Sequence, residues 1–169
     1  MTPLEKEHAM LSFRPRLFLA ATALLATGVA TADQSHQTIR HAGSQASIAG
    51  PAQLFSGSAR IDPVFPGTDH INASGAFVTF EPGARSAWHT HPRGQHIIVT
   101  HGVGLTQEWG KPVERIQPGD VVWCPPGVKH WHGATPETAM THLVVTGQDD
   151  EGNNVTWQEK VSDAQYLSK

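Results

Sequence analysis

Apolar and polar residues in this chain come in short runs that end at glycine and proline. Gly75 to Phe80 is rich in β-forming residues and stops at Pro82-Gly83. His96 to Thr100 is β-branched and stops at Gly102, and Glu114 to Ile116 runs into Pro118-Gly119. Val121 to Trp123 stops at Pro125-Pro126-Gly127, and Thr141 to Thr146 stops at Gly147. Runs of strand length with turn signals at roughly 8–12-residue spacing predict an all-β sandwich or barrel. Only the tail, Ser162 to Leu167, reads as helix. Ser162 can serve as its N-cap, and Gln165 at the third helical position completes a capping box.

The front of the chain follows a different pattern. Arg14 and Arg16 precede an uncharged apolar run from Leu17 to Ala30, and Ala30-Thr31-Ala32 offers small residues where a signal peptidase reads. The run falls short of the ~20 residues a spanning helix needs. Residues 1–32 therefore read as a signal peptide removed on export, which predicts a periplasmic or secreted protein beginning at Asp33 with no lasting membrane insertion. Met10, just before the basic pair, is an alternative start. Residues 33–52 are small and polar and read as a flexible leader or an arm over a neighbouring subunit. Residues 53–158 form the β domain, and 159–169 the helical tail.

Composition sharpens this picture. Of 169 residues, 38% are hydrophobic and 16% charged, enough apolar material for one core. The net charge of -3 comes without a basic stripe, which argues against nucleic-acid binding. A single cysteine, Cys124, excludes an internal disulfide and reads as a small buried hydrophobe. Eleven histidines against one tyrosine is the imbalance that points to metal chemistry.

His89 and His91 lie two apart, as do His130 and His132, and on a strand that spacing puts both rings on one face. Gln95 lies beyond the Pro92-Arg93-Gly94 turn and can come back toward His91. His142 shares a strand face with Val144 and Thr146. A barrel points the inward residues of several strands at one axis, so two histidines from one strand, a neighbouring oxygen donor and a histidine from a distant strand could hold one divalent ion. Such a set would leave coordination positions open, as a catalytic site does. His132 has a weaker claim as a ligand than as a pocket residue. His96 and His101, beside Gly102, read as surface or loop histidines.

These residues carry a resemblance. Gly83-x5-His89-x-His91-x3-Gln95-x6-Gly102 resembles the first cupin motif, and Gly119-x5-Pro125-x-Gly127-x2-His130 resembles the second. The likeness covers about Gln53 to Trp157. Two positions depart from the general pattern, Gln95 where Glu is usual and Ala134 where Asn is usual. The wording around Trp88-His-Thr-His91 and Lys129-His-Trp-His-Gly-Ala-Thr135 is similar to a small single-domain subgroup that includes manganese-dependent cupin hydroxynitrile lyases, which split (R)-mandelonitrile into benzaldehyde and cyanide.

The resemblance implies a small β-barrel, or double-stranded jelly roll, with a divalent transition metal on His89, His91, Gln95 and His130. Manganese comes first, with Fe, Ni, Co or Zn as alternatives. His132 and His142 would be the pocket histidines that move a proton. Ala76 and Val78, alternating on a strand that should face the metal, and Thr146 would line a substrate pocket. An amide ligand in place of a carboxylate leaves the ion its full formal charge, which suits Lewis acidity more than redox cycling. A metal-dependent lyase on small hydroxylated or carbonyl compounds is the expected activity. A cupin dioxygenase using Fe, Mn or Ni and a non-catalytic metal or small-ligand binding protein are the alternatives. The open edge of a small barrel predicts a homodimer or homotetramer, with the residues before Ala59 as the cover.

Overall fold

A computed structural model describes residues 36–168, so the signal-peptide reading lies outside the described residues. Thirteen strands follow in chain order: β1 (Ile48–Ala49), β2 (Phe55–Ser56), β3 (Ala59–Phe65), β4 (Ala73–Phe80), β5 (Arg85–Ser86), β6 (His89–Thr90), β7 (Gln95–Gly102), β8 (Gly104–Glu108), β9 (Glu114–Ile116), β10 (Val121–Cys124), β11 (His130–Ala134), β12 (Met140–Gly147) and β13 (Thr156–Trp157). Among the described residues these strands are followed by one short helix, α1 (Asp163–Tyr166).

The strands form two antiparallel sheets. The first runs β1-β3-β4-β12-β7-β10; the second runs β13-β6-β11-β5-β2, with β8 pairing to both β11 and β9. In β12 the alternation is regular. Met140, His142, Val144 and Thr146 are buried, while Thr141, Leu143 and Val145 are partly exposed. The register sets His142 opposite Val78, Val144 opposite Ala76 and Thr146 opposite Gln95. The inward face of the first sheet thus holds Val78, His142, Val144, Thr146 and Gln95, which their side-chain period of two requires. The ladder between β12 and β7 shifts at Thr141/His142. Gly102 closes β7 with φ +72, and a Cβ there would collide with the Ala139 carbonyl, so only glycine fits this turn.

Phe80, Ile97, Val99, Ala134 and Met140 fill the space between the sheets. Trp88, Trp131, Val161 and Tyr166 form a smaller cluster under α1. The helix starts as the sequence predicts: Ser162 accepts from the Gln165 amide, and the Gln165 side chain accepts from the Ser162 backbone N–H. Tyr166 anchors the helix by donating to the Ala134 carbonyl at 2.8 Å, and the Arg85 guanidinium sits 4.5 Å from the Tyr166 ring centre. The stretch read as leader or arm is partly strand, since Ile48 and Ala49 pair with Ile61 and Arg60.

Candidate metal and active site

Five buried histidines meet between the sheets: His89, His91, His130, His132 and His142. His89 and His130 are paired neighbours on β6 and β11, which brings their ring centres to 4.4 Å. His91 lies one residue past the end of β6, so it is not on the same strand face as His89 in the simple sense of the two-residue spacing. Its ring nevertheless comes within 5.0 Å of His89 and 5.3 Å of His130.

These three rings are held alike. The Nδ1 of His89 lies 2.8 Å from the Ala87 carbonyl, that of His91 2.5 Å from the Asn154 carbonyl, and that of His130 3.0 Å from the Val128 carbonyl. A carbonyl only accepts, so in each neutral ring Nδ1 carries the proton and Nε2 carries the lone pair. Backbone carbonyls commonly fix the tautomer of metal-binding imidazoles in this way. Gln95 is oriented too: its amide nitrogen donates to Thr146 Oγ1 at 2.9 Å, which turns Oε1 away from Thr146.

His91 Nε2, Gln95 Oε1 and His130 Nε2 are buried and lack any hydrogen-bond partner. Three unpaired lone pairs together in a protein interior are costly unless something positive binds them. The residues present therefore fit a divalent cation with nitrogen and neutral oxygen donors. His89, His130 and His132 also offer ring nitrogens within 4.8 Å of one another, so His132 borders the same point.

His132 and His142 are held differently. His142 Nε2 lies 3.0 Å from His132 Nδ1, and His142 Nδ1 has no partner. In the neutral pair one ring donates to the other, and moving both ring protons exchanges the roles. Phe80 packs against both rings, its centre 5.7 Å from each.

Burial keeps all five rings neutral. It pushes His89 and His132 well below the ordinary imidazole value, with the nearby histidines adding to the effect. It lowers His130 to about 4 and His142 to about 3. In His91 the Asn154 carbonyl and Gln95 partly offset burial.

A cavity of about 190 Å³ opens beside this cluster, lined by His89, His91, Gln95 and His132 on one side. Ala76, Val78 and Thr146, the residues predicted to line a pocket, are in its wall. His142 is not; it is wholly buried behind His132. Sequence reading missed Phe55 and Trp157, which meet edge-on at 5.7 Å and supply the aromatic part of the wall. Trp157 also lies 4.8 Å from the His89 ring. No spacing marked either, because both sit on two-residue strands brought in by tertiary pairing. A second cavity, about 380 Å³ and lined by Trp123, Cys124 and His130 among others, lies on the β10 side. Cys124 is buried and unpaired, and burial pushes its thiol up to about 12. His96 and His101 are exposed, as expected.

Two sheets curled around an inward histidine cluster are the architecture of a cupin. Residues 76–146 match the cupin domain, and the chain belongs to the cupin family. It is 59% identical over 128 residues to the (R)-mandelonitrile lyase of Granulicella tundricola, covering 76% of this chain and 97% of that protein. It is 29% identical to a germin-like protein, subfamily 1 member 4, of Arabidopsis thaliana, over 62% of this chain and 48% of that one. Among solved structures it resembles a cupin-like protein of Thermotoga maritima, at 36% identity and a TM-score of 0.66, covering 77% of this chain and 95% of that one.

Proposed function

We propose that this protein is an exported, metal-dependent lyase that splits small aryl cyanohydrins, of the (R)-mandelonitrile kind, into aldehyde and cyanide. One structural observation supports the metal: His91 Nε2, Gln95 Oε1 and His130 Nε2 are buried without a hydrogen-bond partner, and the His91 and His130 rings lie 5.3 Å apart. Similarity to a mandelonitrile lyase over nearly all of that protein's length supports the reaction.

His89, His91, Gln95 and His130 would hold the ion, with manganese first among the candidates. The bound metal would supply Lewis acidity toward the substrate oxygen, undiminished by any carboxylate among these donors. The chain does the rest. Phe55, Trp157, Val78 and Val144 offer an apolar wall for an aryl ring, and Ala76 leaves room beside it. At about 190 Å³ the cavity suits a small substrate, below the ~300–1,000 Å³ that hold drug-sized ligands.

His132 faces the cavity and takes the hydroxyl proton. As the C–O bond becomes C=O, the pair of the C–CN bond leaves with cyanide, and His132 returns the proton to give HCN. To accept at Nε2, His132 must turn its Nδ1–H toward His142 Nε2. His142 therefore acts through His132 as a positioning residue.

The test is cleavage of (R)-mandelonitrile by the metal-loaded protein, followed as benzaldehyde release, with an oxygen electrode in parallel. Release that is abolished by a chelator is the expected result. Full metal occupancy without release, together with oxygen uptake on a catechol, would replace the lyase by a dioxygenase. Export rests on the basic pair, apolar run and small-residue site ahead of Asp33. Cell fractionation with N-terminal sequencing checks it, and an intact N-terminus in the cytosol would refute it.

A further inference from the structure

His91 is held from farther away than the other two rings that meet a carbonyl. The Ala87 and Val128 carbonyls lie two residues from His89 and His130, so the local chain keeps them in reach. The carbonyl at His91 belongs to Asn154, 63 residues along. It is in place only if its segment is tied down, and two ties fasten that segment to the start of β4. Gln148 exchanges hydrogen bonds with Asn72: its N–H donates to the Asn72 carbonyl at 3.0 Å, and its carbonyl accepts from the Asn72 side chain at 3.0 Å. Asn154 itself donates through Nδ2 to Ser74 Oγ at 3.2 Å. Between the ties, Asp149 closes the loop by accepting from the Glu151 and Asn153 backbone N–H groups.

Ser74 belongs to an inward row of unusual polarity. Across β4, β12 and β7 the register sets Ser74 beside Thr146 and Thr146 beside Gln95. The next inward row is Ala76, Val144 and Ile97, which is wholly apolar. A polar row facing a barrel interior costs free energy unless its hydrogen bonds are used. Thr146 uses its oxygen to orient Gln95, and Ser74 uses its oxygen on Asn154. The row thus reaches two ligands of the proposed metal, Gln95 directly and His91 through Asn154. Resting on the metal reading above, we propose that Asn154 is the positioning residue of His91. Its side chain, anchored on Ser74, holds its carbonyl where it fixes the Nδ1–H tautomer of His91 and leaves Nε2 for the ion. Asn154 and Val155 also line the cavity, so turnover would mix this role with substrate contact, and metal binding reads it cleanly.

The test titrates Mn²⁺ into metal-free wild type, Asn154→Ala, Ser74→Ala and the double variant, with ¹⁵N NMR of the imidazoles in the metal-free proteins. Each single variant should lose about 10-fold in affinity, the low end of the roughly 10–100-fold that outer partners contribute. The double variant should lose no more than either single, because both break one bond. Asn154→Asp should keep most of the affinity, since the Ser74 hydroxyl can donate to a carboxylate. His91 should be the Nδ1–H tautomer in wild type, and the Nε2–H form should appear in Asn154→Ala and Ser74→Ala. Wild-type affinity with an unchanged tautomer in both single variants overturns the proposal, as do losses that add in the double variant. Should wild type take up no Mn²⁺, the metal reading fails, and the tautomer of His91 still decides whether Asn154 positions it. Should Asn154→Ala unfold, Ser74→Ala decides by the same two readouts.

Discussion

The five buried histidines are held by two different kinds of partner. His89, His91 and His130 each give their Nδ1 proton to a backbone carbonyl. His132 and His142 are held by each other, at 3.0 Å. A carbonyl allows one tautomer only. A second imidazole can donate or accept, so the pair has two arrangements that differ by moving both ring protons. The first group keeps its lone pairs fixed, as a metal ligand needs. The second can pass a proton, as the proposed cyanohydrin cleavage would need. Under the proposed function two chemistries are thus separated by what stands behind each ring, although all five are buried in one interior.

Breaking the fixed group should have the largest effect. His130→Ala or His89→Ala should remove both metal and mandelonitrile cleavage. The loss of affinity should exceed the roughly 10–100-fold that follows loss of an outer partner. Elemental analysis of the purified variants checks it, and full metal occupancy in either would show that the ligand is elsewhere. Breaking the proton pair should separate the two chemistries. His132→Ala should lower kcat by roughly 10²–10⁴-fold while the metal stays bound. His142→Ala should lower kcat less, because His132 still faces the cavity. Equal rates in wild type and both variants would dismiss the pair as the proton carrier.

Acid should weaken both groups through the same burial. Each ring takes a proton less readily in the folded chain than in the unfolded one, where its pKa is near 6.5. Below that value the unfolded chain binds more protons, so stability falls as pH drops. The decline should begin near pH 6.5 and run past pH 4, where His130 itself titrates. Above pH 6.5 these groups contribute no slope. Unfolding free energies of the metal-free protein, taken from urea titrations at pH 7.5 and 4.5, should differ by on the order of a few kcal/mol. Metal should be released over the same range, because protons compete for the same lone pairs. A flat profile would mean that the rings are not buried and neutral.

How much of this was legible in the sequence differs between backbone and side chain. The longer strands announced themselves by β-rich runs between glycine and proline turns, and α1 by Ser162 and Gln165. The short strands β2, β5, β6 and β13 carried no local signal, because two residues acquire strand geometry only from the partner they meet. The resemblance brought His89, His91, Gln95 and His130 into one set; in the structure the three rings lie 4.4 to 5.3 Å apart, and Gln95 shares a cavity wall with His89 and His91. What fixes three of those rings was invisible, since the carbonyls of Ala87, Val128 and Asn154 belong to residues whose identity says nothing about the bond. The resemblance implied His142 as a pocket histidine; it does point inward, but His132 on the facing sheet lines the cavity and His142 does not.

Gln95 stands between the two groups, and the smallest expected effect tests its place. It is the one proposed ligand oriented by a side chain, Thr146 Oγ1, instead of a carbonyl. A hydroxyl can rotate and can accept or donate, so it fixes the amide less firmly than a carbonyl fixes an imidazole. Thr146→Val keeps the shape and removes the acceptor. The amide nitrogen would then be buried without a partner at that end, and turning the amide would place N–H groups where Oε1 now faces. Metal affinity should fall by about 10–100-fold, as for other outer partners. Thr146→Ser should restore most of it, which a purely steric role for the methyl group would not allow. Because Thr146 also lines the cavity, activity alone cannot separate the two roles; a titration of metal into the metal-free protein can. If Thr146→Val binds metal as tightly as wild type, Gln95 either is not a ligand or is oriented by the metal itself. Gln95→Ala then distinguishes those cases, since only a true ligand lowers the affinity when removed.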